Sequence, residues 1–195
     1  MPQGSLAGDR AVARVVSFGG MCARCELSGR KLAGAQFIGA EFAGAALVGA
    51  DLRQSRFIGS NFAGADLSRA DLSETAMTGA NFNGANLSRA RLRGAILVAG
   101  SFEGANFRNA DLSSVVLSGA GLAGADFRGA DLRRTIIAGA DLSQVKGLSQ
   151  AQINGACGDG RTRLPGKLTA RSCPGVQVII RSTVTAPPRL VAADE

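Results

Sequence analysis

Large apolar residues recur at every fifth position between Leu27 and Leu142. The spacing holds for 24 consecutive five-residue units, in each of which this position, here named the centre, is Leu, Phe, Met or Ile. The residue two before the centre is usually Ala, and the second residue after it is Gly in 15 of the 24 units. A repeat of this kind determines the architecture, so its period is interpreted before any single helix or strand.

Each unit predicts a short extended segment followed by a tight turn. In a β-strand alternate side chains point to opposite sides, so the centre and the residue two before it face inward, and the residue between them faces outward. The remaining two residues turn the chain, and Gly at the second turn position supplies the positive φ of a type II turn. Such turns close the path into a coil, which buries its apolar side chains only by stacking on neighbouring coils.

The outward branched aliphatic residues indicate that four units form one coil. With four units per coil, six of the seven outward Ile and Val residues fall on one face, and only Val48 does not. These six residues, here named the aliphatic strip, are Ile38, Ile58, Ile96, Val98, Val116 and Ile136. Because exposed apolar patches mark interfaces, the face that carries this strip is a candidate interaction face.

Several units carry a recognisable signature. The units at 50–54 (ADLRQ), 65–69 (ADLSR), 80–84 (ANFNG) and 110–114 (ADLSS) resemble the A(D/N)LXX motif of pentapeptide repeat proteins. The resemblance extends over about 120 of the 195 residues and implies an all-β fold, a right-handed quadrilateral β-helix, or β-solenoid. The 24 units then make about six coils, a rod roughly 29 Å long at about 4.8 Å per stacked strand. Arg30 occupies an inward position and predicts an irregular first coil.

The period ends after Leu142, because Gly147 occupies the next centre. Ser149 as N-cap and Gln152 as its capping-box partner predict a short helix, with Leu148 and Ile153 as a hydrophobic staple. We expect this helix to cover the last coil and its open strand edges. The predicted organisation is therefore an N-terminal arm over 1–20, the β-helix over 21–145 and the capping helix over 146–158. Residues 159–195 form a basic C-terminal part, with a loop over 158–175, a strand over 176–185 and a disordered end.

The net charge of +7 lies mostly outside the repeats: residues 26–145 hold 12 basic and 11 acidic side chains. A basic balance favours nucleic acid or an acidic partner. The candidate anion-binding residues are Arg69, Arg89, Arg108, Arg128, Arg161, Arg163 and Lys167. We expect the first four to form a solvated ladder with Asp66 and Asp126. A nucleic-acid partner is disfavoured, since every Phe except Phe18 is at an inward centre and none can stack on bases.

The four cysteines, Cys22, Cys25, Cys157 and Cys173, are candidates for disulfides. The first two are also spaced like half a zinc site, but the chain has no His and the other two thiols lie beyond the far end of the repeats, so no metal site is expected. Buried small residues or a strained disulfide are the preferred interpretations. The last two would close a loop in an oxidising compartment.

No stretch reaches the roughly 18 apolar residues of a transmembrane segment. We expect a cytoplasmic protein if the chain is complete, and a periplasmic or secreted one if a signal peptide was removed and the cysteines are paired.

Catalytic chemistry has little support in the sequence. There is no His, no nucleophile beside a base and no phosphate-binding loop, so neither a catalytic residue nor a cofactor is expected. The outward carboxylates are interpreted as structural. Four of them share a face with three arginines and are expected to form ion pairs between coils, each worth little. This set is Asp51, Asp71, Asp111 and Asp131 with Arg53, Arg93 and Arg133.

The sequence favours a non-catalytic scaffold that presents flat faces to a protein partner of unknown identity. We expect one of the chain's own apolar segments, 176–185 or 11–16, to lie across the aliphatic strip. A homodimer through the strip is the second expectation and a foreign partner the third. The family resemblance also implies mimicry of DNA towards topoisomerases such as DNA gyrase, which the near-neutral repeats disfavour. Binding of anionic surfaces through residues 161–189 is the last alternative.

Overall fold

A computed structural model describes residues 16–18 and 20–174 of the chain. Their backbone forms a stack of coils joined by parallel β-bridges, in which each residue before a centre pairs with the equivalent residue four units later. The bridges run from Met21↔Glu41 to Asp126↔Lys146. The predicted coil of four units is therefore present in the backbone pairing.

One face of the stack carries the longer strands. Strand β1 (Val16–Phe18), β2 (Gln36–Ile38) and β3 (Arg56–Ile58) form a parallel sheet in the order β1-β2-β3. The first of them belongs to the predicted N-terminal arm. It pairs in register with β2 and so extends the ladder; the described end of that arm does not lie across the face. Residues 11–15 and the rest of the arm before 16 lie outside the described residues.

The core contains the inward residues of the units from Ala40 onward, as the alternation predicts, and Leu27, Leu32 and Phe37 of the first coil are partly buried against it. Two columns of aromatic rings run through the core, and a further tilted pair, Phe107 and Phe127, stacks at 5.1 Å on another side of the coil. In the first column the rings stack nearly parallel, with centroids 4.7–5.2 Å apart, close to one coil spacing. The second column meets the first edge to face at 5.2–5.7 Å. The columns are Phe42, Phe62, Phe82 and Phe102, and Phe37 and Phe57.

Polar residues at inward positions are tolerated because their hydroxyls are bonded. Thr75 and Thr135 are fully buried. The Oγ1 of Thr75 donates to the carbonyl of Leu72 at 2.7 Å, and that of Thr135 donates to the carbonyl of Leu112 at 2.7 Å. A buried hydroxyl with a partner costs far less than an orphaned one.

The second turn residue has a positive φ in every unit except the last, whether or not it is glycine. Gly64, for example, has φ +65°, and Arg69 in the following unit has φ +60°. The non-glycine residues that adopt this conformation are Arg24, Gln54, Arg69, Glu74, Arg89, Ala99, Asn109, Ser114 and Arg134. The positive-φ conformation costs a residue other than glycine roughly 1–2 kcal/mol. The hydrogen bonds of the stacked ladder must therefore impose it on these residues.

The prediction of an irregular first coil is wrong for the backbone. The N–H of Arg30 donates to the carbonyl of Leu27 at 3.1 Å, and the Arg30 carbonyl accepts the N–H of Asp51 at 2.9 Å, as in later coils. The Arg30 side chain is exposed. An inward position in the first coil is not covered by a preceding repeat, so the long side chain reaches solvent.

The helix α1 (Gln150–Ile153) begins where predicted. The Oγ of Ser149 accepts the N–H of Gln152 and the Oε1 of Gln152 accepts the N–H of Ser149, which is a complete capping box. Ile153 is fully buried in the core. The Nε2 of Gln152 also donates to the carbonyls of Phe127 and Ala130, at 2.8 and 2.9 Å. These two carbonyls belong to the coil on which the helix packs. The helix ends at Ile153, short of the predicted 158. Because the ladders continue beyond it, the helix does not cover the open strand edges as expected.

The ladders continue beyond α1 with a shifted register. Ile136 pairs with Cys157 and Asp141 with Arg163, so the separation between paired positions grows by one and then by two relative to the regular coils. Strand β4 (Cys157–Gly158) then pairs in parallel with β5 (Arg171–Ser172). The segment predicted as a loop over 158–175 therefore contains further ladder residues. The strand predicted over 176–185 and the disordered end lie outside the described residues.

Candidate interaction surfaces

A regular unit uses four of its five backbone N–H groups within the stack. The residue before the centre donates to the previous coil, the centre and the second turn residue donate to the next coil, and the following residue donates back to the centre. Asn61, Phe62, Gly64 and Ala65 show these four bonds, at 2.6–3.0 Å. The fifth N–H, on Ala63, is accepted by the Oδ1 of Asn61 at 3.0 Å.

This side-chain bond explains the Asp or Asn before the centre. A short side chain with an acceptor oxygen reaches the N–H two residues later, which otherwise has no partner in the stack. The bond is 2.9–3.2 Å long wherever the position is Asp or Asn. The acceptors are Asp51, Asn61, Asp66, Asp71, Asn81, Asn86, Asn106, Asp111, Asp126, Asp131 and Asp141. Their carboxylates and amides are committed to the fold, which leaves them poorly placed for catalysis.

The aliphatic strip lies on the one face that lacks this bond. Its positions before the centre are Gln36, Arg56, Ala76, Ile96, Val116 and Ile136, and their bridges form one continuous ladder. Over the part of the chain that the structure describes, the N–H groups of Thr78, Val98, Ser118 and Ala138 have no hydrogen-bond acceptor. All six strip residues share this face, with Ile38 and Ile96 exposed by 46% and 44% and the other four half-buried.

The expected ion pairs between coils are mostly wrong, because most pairs form within one unit. The pairs within a unit are Asp51–Arg53, Asp126–Arg128 and Asp131–Arg133. In the first of them the Nη2 of Arg53 lies 2.8 Å from the Asp51 Oδ2, and the Arg53 N–H donates to the same carboxylate. Since residues i and i+2 lie on one side of a strand, the nearest cation is in the same unit. Asp71–Arg91, at 3.7 Å, does join two coils.

The predicted arginine column divides into two halves. Arg128 donates to Asp126, whose pKa this hydrogen bond lowers to about 2, and the Nη1 of Arg108 lies 4.0 Å from the same carboxylate. Arg69 and Arg89, by contrast, have no carboxylate within 4.0 Å among residues 16–18 and 20–174. Together with Val48, Asp66, Asn86 and two serines they line a depression of about 320 Å³. The Asp66 carboxylate in this depression accepts the N–H of Ser68 and the Nδ2 of Asn86. The expectation of a ladder neutralised by Asp holds only for the second half.

A second depression of about 330 Å³ lies across the adjoining face. Arg93, Arg133 and Arg134 line it with Asp111, Ser113 and Ser114, and the Asp111 carboxylate accepts the N–H of Ser113. Arg133 is paired with Asp131, whereas Arg93 and Arg134 have no carboxylate within 4.0 Å in the described ranges. Sequence reasoning had assigned Arg93 to an ion pair and overlooked Arg134, which sits at a turn. We name Arg69, Arg89, Arg93 and Arg134 the arginine face, since they border one face along its two corners.

The family follows from a comparison with known sequence families. A model described as pentapeptide repeats matches in eight copies over residues 22–57, 47–84, 85–122 and 110–146. The chain belongs to the pentapeptide repeat family. Its fold is accordingly the right-handed quadrilateral β-helix, and the family is generally non-catalytic. No curated protein matches the chain significantly.

Solved pentapeptide repeat proteins resemble the chain only moderately. A protein from the thylakoid lumen of Arabidopsis thaliana is 33% identical with a TM-score of 0.37, covering 55% of this chain and 68% of its own. QnrB1, a plasmid-mediated fluoroquinolone resistance protein, is 23% identical with a TM-score of 0.34, covering 70% and 79%. HetL, involved in heterocyst differentiation regulation in the cyanobacterium Nostoc, is 22% identical with a TM-score of 0.32, covering 80% and 87%.

The basic cluster after the pentapeptide repeats is largely neutralised. The Nη2 of Arg161 lies 3.2 Å from Asp159, and the Nη1 of Arg163 lies 3.4 Å from Asp141. Asp159 also accepts the N–H of Gly139 at 2.8 Å, and this bond is the main cause that lowers its pKa to about 2. All three predicted anion-binding residues in this cluster are exposed, and Lys167 alone has no such ion pair within the described chain.

The cysteines of this pentapeptide repeat protein form two pairs. The sulfurs of Cys157 and Cys173 are 2.03 Å apart, and the bond joins β4 to the residue after β5. Cys22 and Cys25 are also bonded; they are the centre and the next inward residue across one turn, with Cα atoms 5.1 Å apart.

Within residues 16–18 and 20–174 no three His, Cys, Asp or Glu residues cluster as metal ligands. No helix in the same residues is long and apolar enough to cross a membrane.

Proposed function

We propose that this chain is a non-catalytic β-solenoid scaffold, of about six coils, that binds a protein partner with an acidic surface through its arginine face. One observation carries the proposal. Arg69, Arg89, Arg93 and Arg134 have no carboxylate within 4.0 Å in the described part of the chain, although most outward carboxylates of the repeats are already engaged.

Arginine is suited to this role. Its planar guanidinium binds carboxylates through two parallel hydrogen bonds, and arginine is enriched among the residues that dominate interface energies. Arg69 and Arg89 project from turns fixed by the ladder, so binding orders little backbone and costs correspondingly less entropy. The serines in both depressions add hydroxyl groups that donate or accept hydrogen bonds.

The dimensions of the stack support a partner that spans more than one face. One face, about 29 Å long and three to five residues wide, covers roughly 300–450 Å² at about 3.3 Å per residue. A stable interface needs about 800 Å² on each partner. Two adjacent faces reach that area, and the arginine face extends around a corner between them.

The two alternatives have less support. A mimic of DNA needs acidic faces, whereas residues 26–145 have 12 basic and 11 acidic side chains and are close to neutral. Binding of anionic surfaces through the C-terminal cluster is weakened by the ion pairs of Arg161 and Arg163.

Affinity capture from an extract of the source organism tests the proposal. The bait variant combines Arg69→Gln, Arg89→Gln, Arg93→Gln and Arg134→Gln. The matched control removes the same number of charges from arginines that already have partners and line neither depression, with Arg53→Gln, Arg108→Gln, Arg128→Gln and Arg161→Gln. We expect one protein to be retained by the wild type and by the control but lost by the bait variant. Retention by all three baits, or by none, would refute the assignment.

A second measurement separates a protein partner from a simple polyanion. Duplex DNA, heparin and vesicles with anionic lipid are titrated against the wild type at rising salt. Binding of a polyanion in the same concentration range as the captured protein, with a steep salt dependence, would contradict a specific protein partner.

A further inference from the structure

The aliphatic strip is too small to hold a second molecule by itself. From Ile38 to Ile136 it spans five coil spacings, about 24 Å at about 4.8 Å each. With two outward columns it is about 10 Å wide, so its area is roughly 240 Å², well below the approximately 800 Å² per partner of a stable interface. A segment tethered to the same chain needs far less area, because the tether gives it an effective concentration in the millimolar range.

The described chain ends beside the strip. Cys157 follows Ile136 in the ladder of the strip's face, and β5 follows Cys157 in the same ladder. The disulfide to Cys157 and the bond from the Cys173 N–H to the Gly158 carbonyl, at 3.1 Å, hold the chain at this point. Residues 175–195 therefore start from the C-terminal end of the face that carries the strip.

The sequence that follows has the pattern of a strand with one apolar side. Val176, Val178, Ile180 and Val184 lie on one side of the predicted strand, interrupted by Ser182, and the other side is polar except for Ile179. About ten residues of extended chain cover about 33 Å. This length exceeds the strip's own. The other apolar segment, at the N-terminus, is a weaker candidate because its described end, β1, is stacked in the ladder.

We propose that residues 176–185 lie as an extended strand along the aliphatic strip, crossing its coils, with their apolar side against Ile96, Val98 and Val116. The strand returns from the disulfide towards the N-terminal coils and covers side chains that the repeats leave exposed. The sheet face and the strand then pack with nearly perpendicular chain directions, a known arrangement of β-layers. This inference uses a different face from the arginine face and does not depend on the proposed partner.

Photo-crosslinking in the full-length protein tests the contact directly. A diazirine amino acid replaces Val178 in one sample and Thr183, on the opposite side of the predicted strand, in a control. After irradiation at low concentration and digestion with trypsin, we expect the first probe to be joined to peptide 94–108, which contains Ile96 and Val98. The control probe should give little of that product.

The outcomes separate the occupants. Crosslinks within one molecule to the strip support the proposal. Crosslinks between two molecules would show that a second copy occupies the strip, and crosslinks confined to other faces would place the tail elsewhere; either result overturns it.

Dye binding gives an independent readout in the full chain. Val178→Asp combined with Ile180→Asp should release the tail and raise the fluorescence of a hydrophobic dye several-fold. Gln177→Asp combined with Thr183→Asp adds the same charge on the polar side and should leave the fluorescence near the wild-type value. Equal fluorescence of the two variants would overturn the proposal.

Discussion

Replacing Asn86 with Ala tests the hydrogen bond that defines the repeat. The Oδ1 of Asn86 accepts the N–H of Ser88 at 3.2 Å and the Nδ2 of Asn106 at 3.1 Å. Its own Nδ2 donates to Asp66 at 3.0 Å. The substitution therefore removes three hydrogen bonds and leaves the Ser88 N–H without an acceptor in the stack, while the side chain keeps its outward position.

The expected cost follows from these three bonds. A typical intramolecular hydrogen bond contributes about 0.5–1.5 kcal/mol net, and an orphaned, half-buried N–H adds to the loss. Because Asn86 is half-buried and not fully buried, water replaces part of what is lost, and we expect destabilisation of about 2–3 kcal/mol. That is a large fraction of the approximately 5–15 kcal/mol stability of a domain.

The converse change is Ala46→Asn, two coils earlier in the same column. The N–H of Val48 has no acceptor among the described residues, and the new Asn should supply one, stabilising the fold by up to about 1 kcal/mol. Guanidinium unfolding followed by far-ultraviolet circular dichroism measures both variants, with the disulfides kept oxidised and the slopes compared with the wild type. If Asn86→Ala cost less than a single ordinary hydrogen bond and Ala46→Asn gave no gain, this account of the signature would be refuted.

Three further predictions concern charge, backbone and disulfide. The hydrogen bond from Arg128 lowers the pKa of Asp126 to about 2, below its unfolded value of about 3.9. The stabilisation from this carboxylate is therefore present above about pH 4 and is lost as the pH falls to about 2. In urea unfolding between these pH values, the free energy of unfolding should decline less for Asp126→Asn than for the wild type, and an equal decline would contradict the assignment. Ala99→Gly should stabilise the fold by about 0.5–1 kcal/mol in thermal unfolding, since Ala99 has φ +54°, and destabilisation would show that the turn carries no strain. Cys157→Ser combined with Cys173→Ser should cost up to about 3 kcal/mol and abolish slow amide exchange in β5, whereas unchanged exchange would mean that the ladder holds β5 without the disulfide.

The repeating part of the fold follows from local rules. Alternation along a strand predicts that Phe62 and Ala65 face inward, and the positions of Ile38, Ile58 and Ile136 on a common face identify a coil of four units. The capping box at Ser149 is equally local, because it depends on residues three positions apart. Each of these inferences needs only the neighbours in one unit or one coil.

The features that were missed depend on competition between neighbours. Asp51 has cations in its own unit and in adjacent coils. It forms its ion pair with Arg53, because the backbone N–H of Arg53 already donates to the same carboxylate. The ladder through Cys157 could not be anticipated either, since α1 shifts the register by one and then by two positions. The sequence does not single out Arg134, because it occupies the second turn position, which is glycine in most other units.

The pairing of each residue with its equivalent four units later has a consequence for insertions and deletions. One extra unit inserted after Gly104 would turn every later coil by a quarter of a revolution about the axis. Val116 would then pair with Ser101 in place of Ile96, and the later half of the strip would move to another face. Four inserted units would leave every column aligned and lengthen the rod by one spacing, about 4.8 Å. Such a molecule tolerates evolutionary change of length in whole turns, while smaller steps rearrange its surface.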